Sequence, residues 1–379
     1  MLNLNTTNKT VIFGGSFDPV TTAHIDIVEH LSERFDKVIV MPCKVSPFKT
    51  HTGATAEQRL EMLTVSLRDL PNTEISTFET DSEGTNYTYL TLEAFARENL
   101  YFAIGSEMVA ELDKWKRTDI IGELATLYVI PRPSYPLDTE STDKLRRVTG
   151  GRYEIADFVG KDGSSSEVRI SVAMNRPEMF LIGDVADFIS KNGLYGEYKY
   201  VNGIYSTFGM KQSRIDHSFS AALCGVRLAK RACVDTAKAA TALLLHDIGK
   251  YVTKEQAEDM GIKFDGRIDG MPLSVRHAEI GAEILVQLLG MTDRDITEAV
   301  RWHTTGKPGM TPLEKIVYLA DYIEPLRDFD GVERLRAETE KGIDDGLRAA
   351  LENSVGYIKD GIYKATADAY EYYCEKEKK

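Results

Sequence analysis

The stretch that decides the fold is TVIFGGSFDPVTTAH, residues 10–24. Its apolar start, its paired glycines and its helical-looking end predict a strand, a tight turn and a helix. Gly14 and Gly15 would let backbone amides approach a ligand, and the helix that begins near Thr21 would direct its positive end to the same place. Glycines alone fit a plain strand-to-helix turn equally well. His24, in the first helical turn, adds a donor that would face a bound anion and favours a phosphate site.

The same strand-helix alternation continues through the first half of the chain. Apolar runs of strand length are TVIF, KVIVMP, TEISTF, LYFAIG and TLYVIP, and AHIDIVEHLSERF and TAEQRLEMLTVSL have helical periodicity between them. This order predicts a doubly wound parallel sheet of the Rossmann type. Glycines and asparagines interrupt the periodicity in SKNGLYGEYKYVNG, and beyond it the pattern is helix after helix. We therefore predict an α/β domain over 1–198 and an all-α domain over 199–379.

Composition narrows the class of protein. A length of 379 residues suits two domains, and 42% hydrophobic with 28% charged residues is typical of a water-soluble protein. Neither a secretion signal nor an apolar run of about 20 residues is visible, so we expect a cytoplasmic protein without a membrane partner. The net charge of −13 argues against nucleic acid as a partner. The four cysteines show no metal-ligand or CxxC spacing and are interpreted as plain thiols.

The motif GGSFDPVTTAH resembles the (H/T)xGH signature of nucleotidyltransferases, and the first domain is most similar to bacterial nicotinate-nucleotide adenylyltransferases. Further segments follow in the family's order: PFK, NYTYLTLEAF, AIGSE, VIPRP, SSSEVR and VADFISKNGLYG. The resemblance implies adenylyl transfer from ATP, with Mg²⁺, to nicotinate mononucleotide, which gives deamido-NAD and pyrophosphate. Such a reaction depends on positioning and on neutralising negative charge.

The resemblance also implies roles for individual residues. Catalytic roles fall to His24, Lys49 and Arg169; ATP contacts to Gly14, Ser16, Phe17, Thr21, His24, Gly105, Ser106, Ser164, Ser166 and Arg169; and pyridine-nucleotide contacts to Thr88, Trp115 and Arg132. For Trp115, packing in the core is nearly as good an interpretation as stacking on a ligand.

This chain departs from the family's usual pattern at several positions. These are Thr21 for the first His, Ala23 for Gly, Glu107 for Asp, Gly163 for an aliphatic residue and Ser166 for Thr. A threonine hydroxyl still donates a hydrogen bond, so we expect altered phosphate contacts and an active site. The acceptor stays open between nicotinate mononucleotide, nicotinamide mononucleotide and phosphopantetheine.

Histidines and carboxylates characterise the second domain. Helical spacing places His246, His277, His303 and Asp321 on apolar faces, and Asp247 adjoins His246. Several inward imidazoles and carboxylates are costly to bury unpaired. A bound metal ion of the Mn²⁺ or Fe type would offset the free-energy cost of burying these groups.

LLHDIGK, together with RIDHSFS, RHAEIGAEIL and the block RWHTTGKPGM to GVERLR, resembles HD-superfamily enzymes that cleave diadenosine tetraphosphate symmetrically to two ADP. The resemblance implies a two-metal centre. One metal would be held by His217, His246, Asp247 and Asp321, and a second by His277 and His303 with Asp247 bridging.

Asp247 and Lys250 are the expected catalytic residues of this centre, with Lys250 either stabilising phosphate charge or ending a helix; Arg301 and Lys307 are candidate polyphosphate contacts. Two alternatives stay open for this domain: a nucleotide-sensing module without turnover, or a dimer interface in a homo-oligomer.

Overall fold

The computed structural model describes residues 8–43, 53–84, 86–357 and 362–375. The chain divides into two compact units. The first unit comprises residues up to 168 together with 176–195, and the second comprises 169–175 together with the residues from 196 onward. The domain boundary after residue 198 stays a prediction.

The first unit is built on a parallel sheet. Its strands are β1 (Thr10–Gly15), β2 (Lys37–Pro42), β3 (Thr73–Ile75), β4 (Leu100–Gly105), β5 (Thr126–Ile130) and β6 (Tyr153–Ile155). Its helices are α1 (Thr22–Arg34), α2 (Ala56–Leu67), α3 (Phe78–Asp81), α4 (Thr88–Ala94), α5 (Thr118–Leu124), α6 (Thr139–Thr149), α7 (Ser165–Ala173) and α8 (Gly183–Asn192), with 3₁₀ segments at Ser106–Lys114 and Pro177–Met179. Helix α7 begins in the first unit and ends in the second. The predicted Rossmann-like architecture is confirmed.

The strand order β3-β2-β1-β4-β5-β6 places β1 between β2 and β4. Every neighbouring pair is parallel, and the register pairs Phe13 with Ala103 and Gly105 with Ile130. The direction of strand progression reverses between β1 and β4, so their carboxyl ends open a crevice where such folds bind ligands. Apolar side chains of the strands form the core below this edge, with Ile12, Phe102 and Leu127 in one cluster.

The second unit is helical over the residues that the structure describes. Its helices are α9 (Tyr200–Thr207), α10 (Gln212–Arg231), α11 (Thr236–Leu245), α12 (Lys254–Asp259), α13 (Leu273–Glu283), α14 (Arg294–Trp302), α15 (Pro312–Ile323), α16 (Val332–Lys341), α17 (Ile343–Tyr357) and α18 (Lys364–Tyr370). Segments of π-helix continue α13 at Ile284–Leu288 and α18 at Glu371–Glu375, and a 3₁₀ turn lies at Arg267–Gly270. Within the described ranges, no helix has the length and apolar character needed to cross a bilayer.

Candidate active sites

The turn after β1 ends in a capping box that orients His24. Thr21 is the N-cap of α1, and its hydroxyl accepts a hydrogen bond from the backbone N–H of His24 at 3.3 Å. In return, the Thr21 backbone N–H donates to Nδ1 of His24 at 3.0 Å. A neutral imidazole that accepts at Nδ1 carries its proton on Nε2. The box therefore fixes the tautomer whose Nε2 donates, as a contact to phosphate requires.

A second helix N-terminus meets the first at this turn. The Thr21 hydroxyl donates to the backbone carbonyl of Gly163 at 3.5 Å, and Gly163 precedes α7. At the start of α7, the Ser164 N–H donates to Glu167 Oε2 at 2.7 Å, and the Glu167 N–H donates to Ser164 Oγ at 3.4 Å. Two helix N-termini thus lie together, and both favour an anion.

Two of the departures from the family pattern are spatial neighbours. Gly163 has a φ of +152°, and a Cβ added there would lie 3.5 Å from Cβ of Ala23. The ring of Phe180 would lie 3.4 Å from the same atom. The family usually has glycine at the position of Ala23 and an aliphatic residue at the position of Gly163. In this chain the larger residue of the pair is therefore at 23 and the smaller at 163. Both distances are ordinary van der Waals contacts, so the positive φ of residue 163, and not a lack of space, favours glycine there.

Buried polar side chains hold the turn in place. Nη1 of Arg59 donates to the backbone carbonyls of Ser16 and Cys43, both at 2.7 Å. The Asp18 carboxylate accepts from the backbone N–H groups of residues 53 and 54 at 2.8 and 3.0 Å, and from the Tyr195 hydroxyl at 2.7 Å. Asp18 is fully buried, so these bonds satisfy its charge. Its role in this turn was missed from the sequence.

Aromatic packing completes the turn. The Phe17 ring is buried and lies edge-on to His24, with ring centroids 5.1 Å apart. Phe17 has a φ of 46°, and a Cβ on Gly15 would lie 3.0 Å from its ring. A side chain at residue 15 would therefore crowd the Phe17 ring. A Cβ on Gly14 would meet only ordinary contacts, the nearest at 3.5 Å from Phe102.

The ends of β4 and β5 complete this edge of the sheet. Ser106 Oγ donates to the Tyr135 carbonyl at 2.7 Å and accepts from the Arg132 N–H at 3.0 Å. Nε of Arg132 lies 3.1 Å from Oε2 of Glu107, and both side chains are largely buried. Glu107 also covers Gly105, where an added Cβ would collide with its carboxylate. Ser106 is thus committed to holding the loop after β5, and Glu107 orients Arg132.

The predicted pyridine-nucleotide residues divide into two places. Trp115 is half-buried on the sheet core and packs edge-on against Phe102, with centroids 6.2 Å apart. Thr88 begins α4, and this helix is tied to the Trp115 segment because Lys116 Nζ donates to the hydroxyl of Tyr87 at 2.7 Å. Arg132 lies at the end of β5. Packing of Trp115 on the core is therefore observed; its stacking on a ligand stays a prediction.

Lys49, Ser166 and Arg169 are the other residues predicted to act in catalysis or ATP binding. Lys49 lies outside the described residues. Ser166 lies in the first turn of α7. Arg169 follows one turn later, in the segment that groups with the second unit, and its Nη1 lies 3.2 Å from Oε1 of Glu197. Their roles toward ATP stay predictions.

The second unit gathers six predicted ligands in one cluster. Nε2 of His217 lies 2.8 Å from Oδ1 of Asp321, and Nε2 of His246 lies 3.5 Å from Oδ2 of Asp247. The other carboxylate oxygen of Asp247, Oδ1, lies 3.0 Å from Nε2 of His277. Nε2 of His303 lies 3.3 Å from Nε2 of His277, and Nε2 of His246 lies 3.2 Å from Nε2 of His217. Donor atoms from α10, α13, α15 and the ends of α11 and α14 thus converge.

A close helix approach produces this convergence. Gly249 follows Asp247 by two positions, and a Cβ there would lie 2.3 Å from the His277 carbonyl and 2.6 Å from the Gly281 nitrogen. Only glycine lets the turn after α11 pack directly on α13. The glycine of LLHDIGK therefore brings Asp247 within reach of His277.

Hydrogen bonds orient three of the imidazoles. Nδ1 of His246 donates to the Leu243 carbonyl at 2.6 Å, and Nδ1 of His303 donates to the Val300 carbonyl at 2.7 Å. Nδ1 of His217 donates to Oε1 of Glu324 at 2.9 Å. Each imidazole therefore presents the lone pair of Nε2 to the cluster, which is how metal-binding histidines are held.

The electrostatics of the cluster fit a divalent cation. Burial opposes ionisation of Asp247, but the neighbouring His246, His277 and His303 outweigh burial and hold the pKa of this carboxyl well below its ordinary value. Burial lowers the pKa of His277 to about 4. The carboxylate is thus charged and this imidazole is neutral, as metal ligands are. Oδ1 of Asp247 is buried and makes no well-aligned hydrogen bond among the described residues. Its lone pairs are therefore suited to binding a metal ion.

Three overlapping groups in the cluster could each hold an ion. They are His217–His246–Asp247, His246–His303–Asp321 and Asp247–His277–His303, with the donor atoms of each group within 4.8 Å of one another. The first and third groups share Asp247, in keeping with a bridging carboxylate. The arrangement suits a divalent metal ion; the metal's identity and the assignment of ligands to individual metals stay predictions.

Three further residues at the cluster were not predicted. Nη1 of Arg214 lies 2.8 Å from Oδ2 of Asp247, Arg327 donates to Asp321, and Glu324 holds His217. Helical spacing could have found Arg214, which lies three positions before His217 on α10, but not Arg327, because α15 ends at Ile323 and the backbone leaves helical geometry at Glu324. Arg301 proves to be buried among Glu279, Glu283 and Glu298, and Lys307 pairs with Glu314 at 2.7 Å. These contacts give Arg301 and Lys307 structural roles.

Comparisons with known proteins follow the same division of the chain. A cytidylyltransferase-like family model matches residues 12–170, and an HD domain model matches 214–326. A Mycoplasma pneumoniae protein named "Probable nicotinate-nucleotide adenylyltransferase/Ap4A hydrolase" is 28% identical over 340 residues, which cover 88% of this chain and 92% of that protein.

Two shorter relatives each match one part. A probable nicotinate-nucleotide adenylyltransferase of Roseiflexus is 32% identical over 48% of this chain and 96% of its own length. A symmetrical bis(5'-nucleosyl)-tetraphosphatase of Bacillus subtilis is 33% identical over 39% of this chain and 81% of its own length. The chain therefore belongs to the family of proteins that join a nicotinate-nucleotide adenylyltransferase-like domain to an HD domain of the symmetrical tetraphosphatase type.

Proposed function

We propose that this protein is a bifunctional enzyme. The first site would transfer an adenylyl group from ATP to nicotinate mononucleotide, giving deamido-NAD and pyrophosphate. The second would hydrolyse diadenosine tetraphosphate to two ADP. The relatives that match each part carry names for these two activities. A cytoplasmic location is part of this proposal.

The observation that best supports the first activity is the capping box of Thr21 and His24. It keeps the proton of the imidazole on Nε2, where it would donate to an oxygen of the α-phosphate as charge develops there. The N-termini of α1 and α7 would face the same phosphates, with Ser164 and Ser166 at the start of α7. Mg²⁺ bound with ATP would neutralise phosphate charge. Arg132, oriented by Glu107, would receive the acceptor nucleotide.

The acceptor is tested with α-labelled ATP, Mg²⁺ and one acceptor at a time. Nicotinate mononucleotide, nicotinamide mononucleotide and phosphopantetheine are compared. Labelled dinucleotide from the nicotinate compound supports the proposal. Transfer to phosphopantetheine alone would instead agree with Thr21, which the phosphopantetheine branch shares, and would refute the pyridine assignment.

The observation that supports the second activity is the six-ligand cluster in which Asp247 faces imidazoles on both sides. When bound, divalent ions supply Lewis acidity to a water molecule and to phosphate oxygens. His217, His246, Asp247 and Asp321 would hold one ion, and His277 and His303 would hold another with Asp247 shared. Lys250, whose Nζ lies 3.9 Å from Oδ1 of Asp247, would stabilise charge on the leaving phosphate.

Product analysis tests this activity. Metal-loaded protein that converts diadenosine tetraphosphate to ADP alone supports symmetrical cleavage. ATP and AMP as products would show asymmetrical cleavage, at a phosphoanhydride bond other than the central one, and would contradict the proposal. Binding without any product would favour the alternative of a nucleotide sensor.

A further inference from the structure

Arg301 joins the two helices that carry His277 and His303. Its side chain lies on α14 and donates through Nη1 to Glu279 and through Nη2 to Oε1 of Glu283 at 2.8 Å. Both carboxylates lie on α13. The side chain of Arg301 is 8% exposed and that of Glu279 is 5% exposed. A buried ion pair therefore bridges α13 and α14 in the interior of the second unit.

This bridge lies beside the ligand group Asp247–His277–His303. Glu279 follows His277 by two positions, and Arg301 precedes His303 by two. Across the same two helices, Nε2 of His277 lies 3.3 Å from Nε2 of His303, and these two atoms lie 3.0 and 3.7 Å from Oδ1 of Asp247. A shift of α14 along or around α13 would therefore change the separation of the two imidazoles.

The guanidinium of Arg301 restricts such shifts. Glu279 and Glu283 are one helical turn apart on α13, so the two bonds from the terminal nitrogens fix the position of Arg301 along that helix. Nε donates to Oε1 of Glu298 at 3.0 Å, and Glu298 lies on α14 itself. Because a guanidinium is rigid and planar, the three bonds together set the register between the two helices.

The same turn of α14 orients the ring of His303. Nδ1 of His303 donates to the carbonyl of Val300 at 2.7 Å, and Val300 is the residue before Arg301. Displacing this turn would move the acceptor that keeps the proton on Nδ1. The lone pair of Nε2 would then no longer point to the ligand group.

The charges of this cluster are better explained by position than by stability. Burial alone would lower the pKa of Arg301, but Glu279 and Glu283 outweigh burial and raise it, so the guanidinium stays charged. Apolar residues of similar volume often replace a buried ion pair without loss of stability. Fixing the register of neighbouring helices is the best-attested use of such pairs.

We propose that Arg301 is a positioning residue for the metal ion held by Asp247, His277 and His303. It acts by fixing α14 against α13 and does not contact the ion. The inference rests on the proposed two-metal centre. The other proposed ion depends on ligands from α10, from the end of α11 and from α15, so its affinity should change little when the bridge is broken.

The test compares full-length wild type with Glu279→Gln, Arg301→Lys and Glu298→Gln. Glu279→Gln removes the charge of a bridging carboxylate and keeps its shape, and Arg301→Lys keeps the charge without the fork. Glu298→Gln is the matched control, because it makes the same change to a carboxylate that binds the guanidinium from α14 itself. Titration with Mn²⁺ gives the number of bound ions per chain and the affinity of each. Electron paramagnetic resonance distinguishes a lone Mn²⁺ from a coupled pair.

We expect wild type and Glu298→Gln to bind two Mn²⁺ as a coupled pair. In Glu279→Gln and Arg301→Lys the affinity for one ion should fall roughly tenfold or more, the usual effect of losing a partner that orients a metal ligand, and the signal of a lone Mn²⁺ should appear. If one of these two variants fails to fold, the other decides the test.

Two ions of wild-type affinity in the bridge variants would overturn the inference, even if those variants unfold at a lower temperature. An equal loss of both ions, or the same loss in Glu298→Gln, would also overturn it. Wild-type protein that binds fewer than two Mn²⁺ would instead refute the proposed two-metal centre.

Discussion

Oε1 of Glu324 accepts a hydrogen bond from Nδ1 of His217 at 2.9 Å, and Glu324 is almost completely buried. The bond fixes the ring so that Nε2 points at Asp321. Burial alone would lower the pKa of His217, but the carboxylates of Asp321 and Glu324 outweigh burial and raise it. Glu324 therefore both orients this imidazole and makes it more basic.

Replacing Glu324 tests that role. We expect Glu324→Ala to weaken Mn²⁺ binding by roughly 10- to 100-fold, the usual effect of losing a partner that orients a metal ligand. Glu324→Gln keeps an acceptor without the charge and should lose less. Competition with a fluorescent chelator measures both affinities. If both variants bind Mn²⁺ as tightly as the wild type does, Glu324 does not support the site.

Metal removal should destabilise the second unit, because its buried imidazoles and carboxylates lose their common partner. At a free Mn²⁺ concentration of 100 times Kd, binding adds about 2.7 kcal/mol to the free energy of unfolding. Scanning calorimetry of the full chain, with Mn²⁺ or with chelator, should show two thermal unfolding transitions. The temperature of one should change with the metal and that of the other should not. In Asp247→Ala neither transition should respond to the metal; a response equal to wild type would place the metal elsewhere.

Thr21→Val tests whether the capping box orients His24. The variant loses the hydroxyl that accepts from the His24 N–H and that also lies 2.9 Å from Nδ1 of the His24 ring. We expect adenylyl transfer to fall by roughly tenfold or more, since donor placement governs such steps. Thr55→Val is the control, because Thr55 and Gln58 form the same box on α2. Each variant should cost about 1 kcal/mol of stability. Equal rates in the two variants would contradict the positioning role of Thr21.

The hydrogen bond from Tyr195 to Asp18 allows a further test of how the turn is held. Tyr195→Phe leaves two backbone donors on the buried carboxylate, so the free energy of unfolding should fall by about 1 kcal/mol. Asp18→Ala removes every one of these contacts and should cost more. Thermal unfolding of the full chain measures both losses of stability. A larger loss in Tyr195→Phe than in Asp18→Ala would contradict this role of Asp18.

Much of this architecture is readable from sequence because it depends on local pattern. The run at 10–24 contains a strand, the glycines of its turn and the residues that cap its helix, and the structure places all three as the pattern predicts. The inward ligands could also be read, because helical spacing puts His246, His303 and Asp321 on apolar faces.

Long-range relations could not be read in this way. Ala23 and Gly163 are 140 positions apart, and only the fold shows that their two departures from the family pattern meet. Asp18 looks like an ordinary turn residue until Tyr195 is brought to it. Trp115 can stack on a ligand or pack in the core, and sequence gives no means of deciding between these two interpretations.

The central claim is that one chain carries two separate activities. The most direct measurement assays adenylyl transfer to nicotinate mononucleotide and hydrolysis of diadenosine tetraphosphate in wild type, His24→Ala and Asp247→Ala. We predict that His24→Ala slows transfer by roughly two or more orders of magnitude and spares hydrolysis, as loss of one oriented donor would, and that Asp247→Ala abolishes hydrolysis and spares transfer. Loss of both activities in either variant, or a near-normal transfer rate in His24→Ala, would contradict the account.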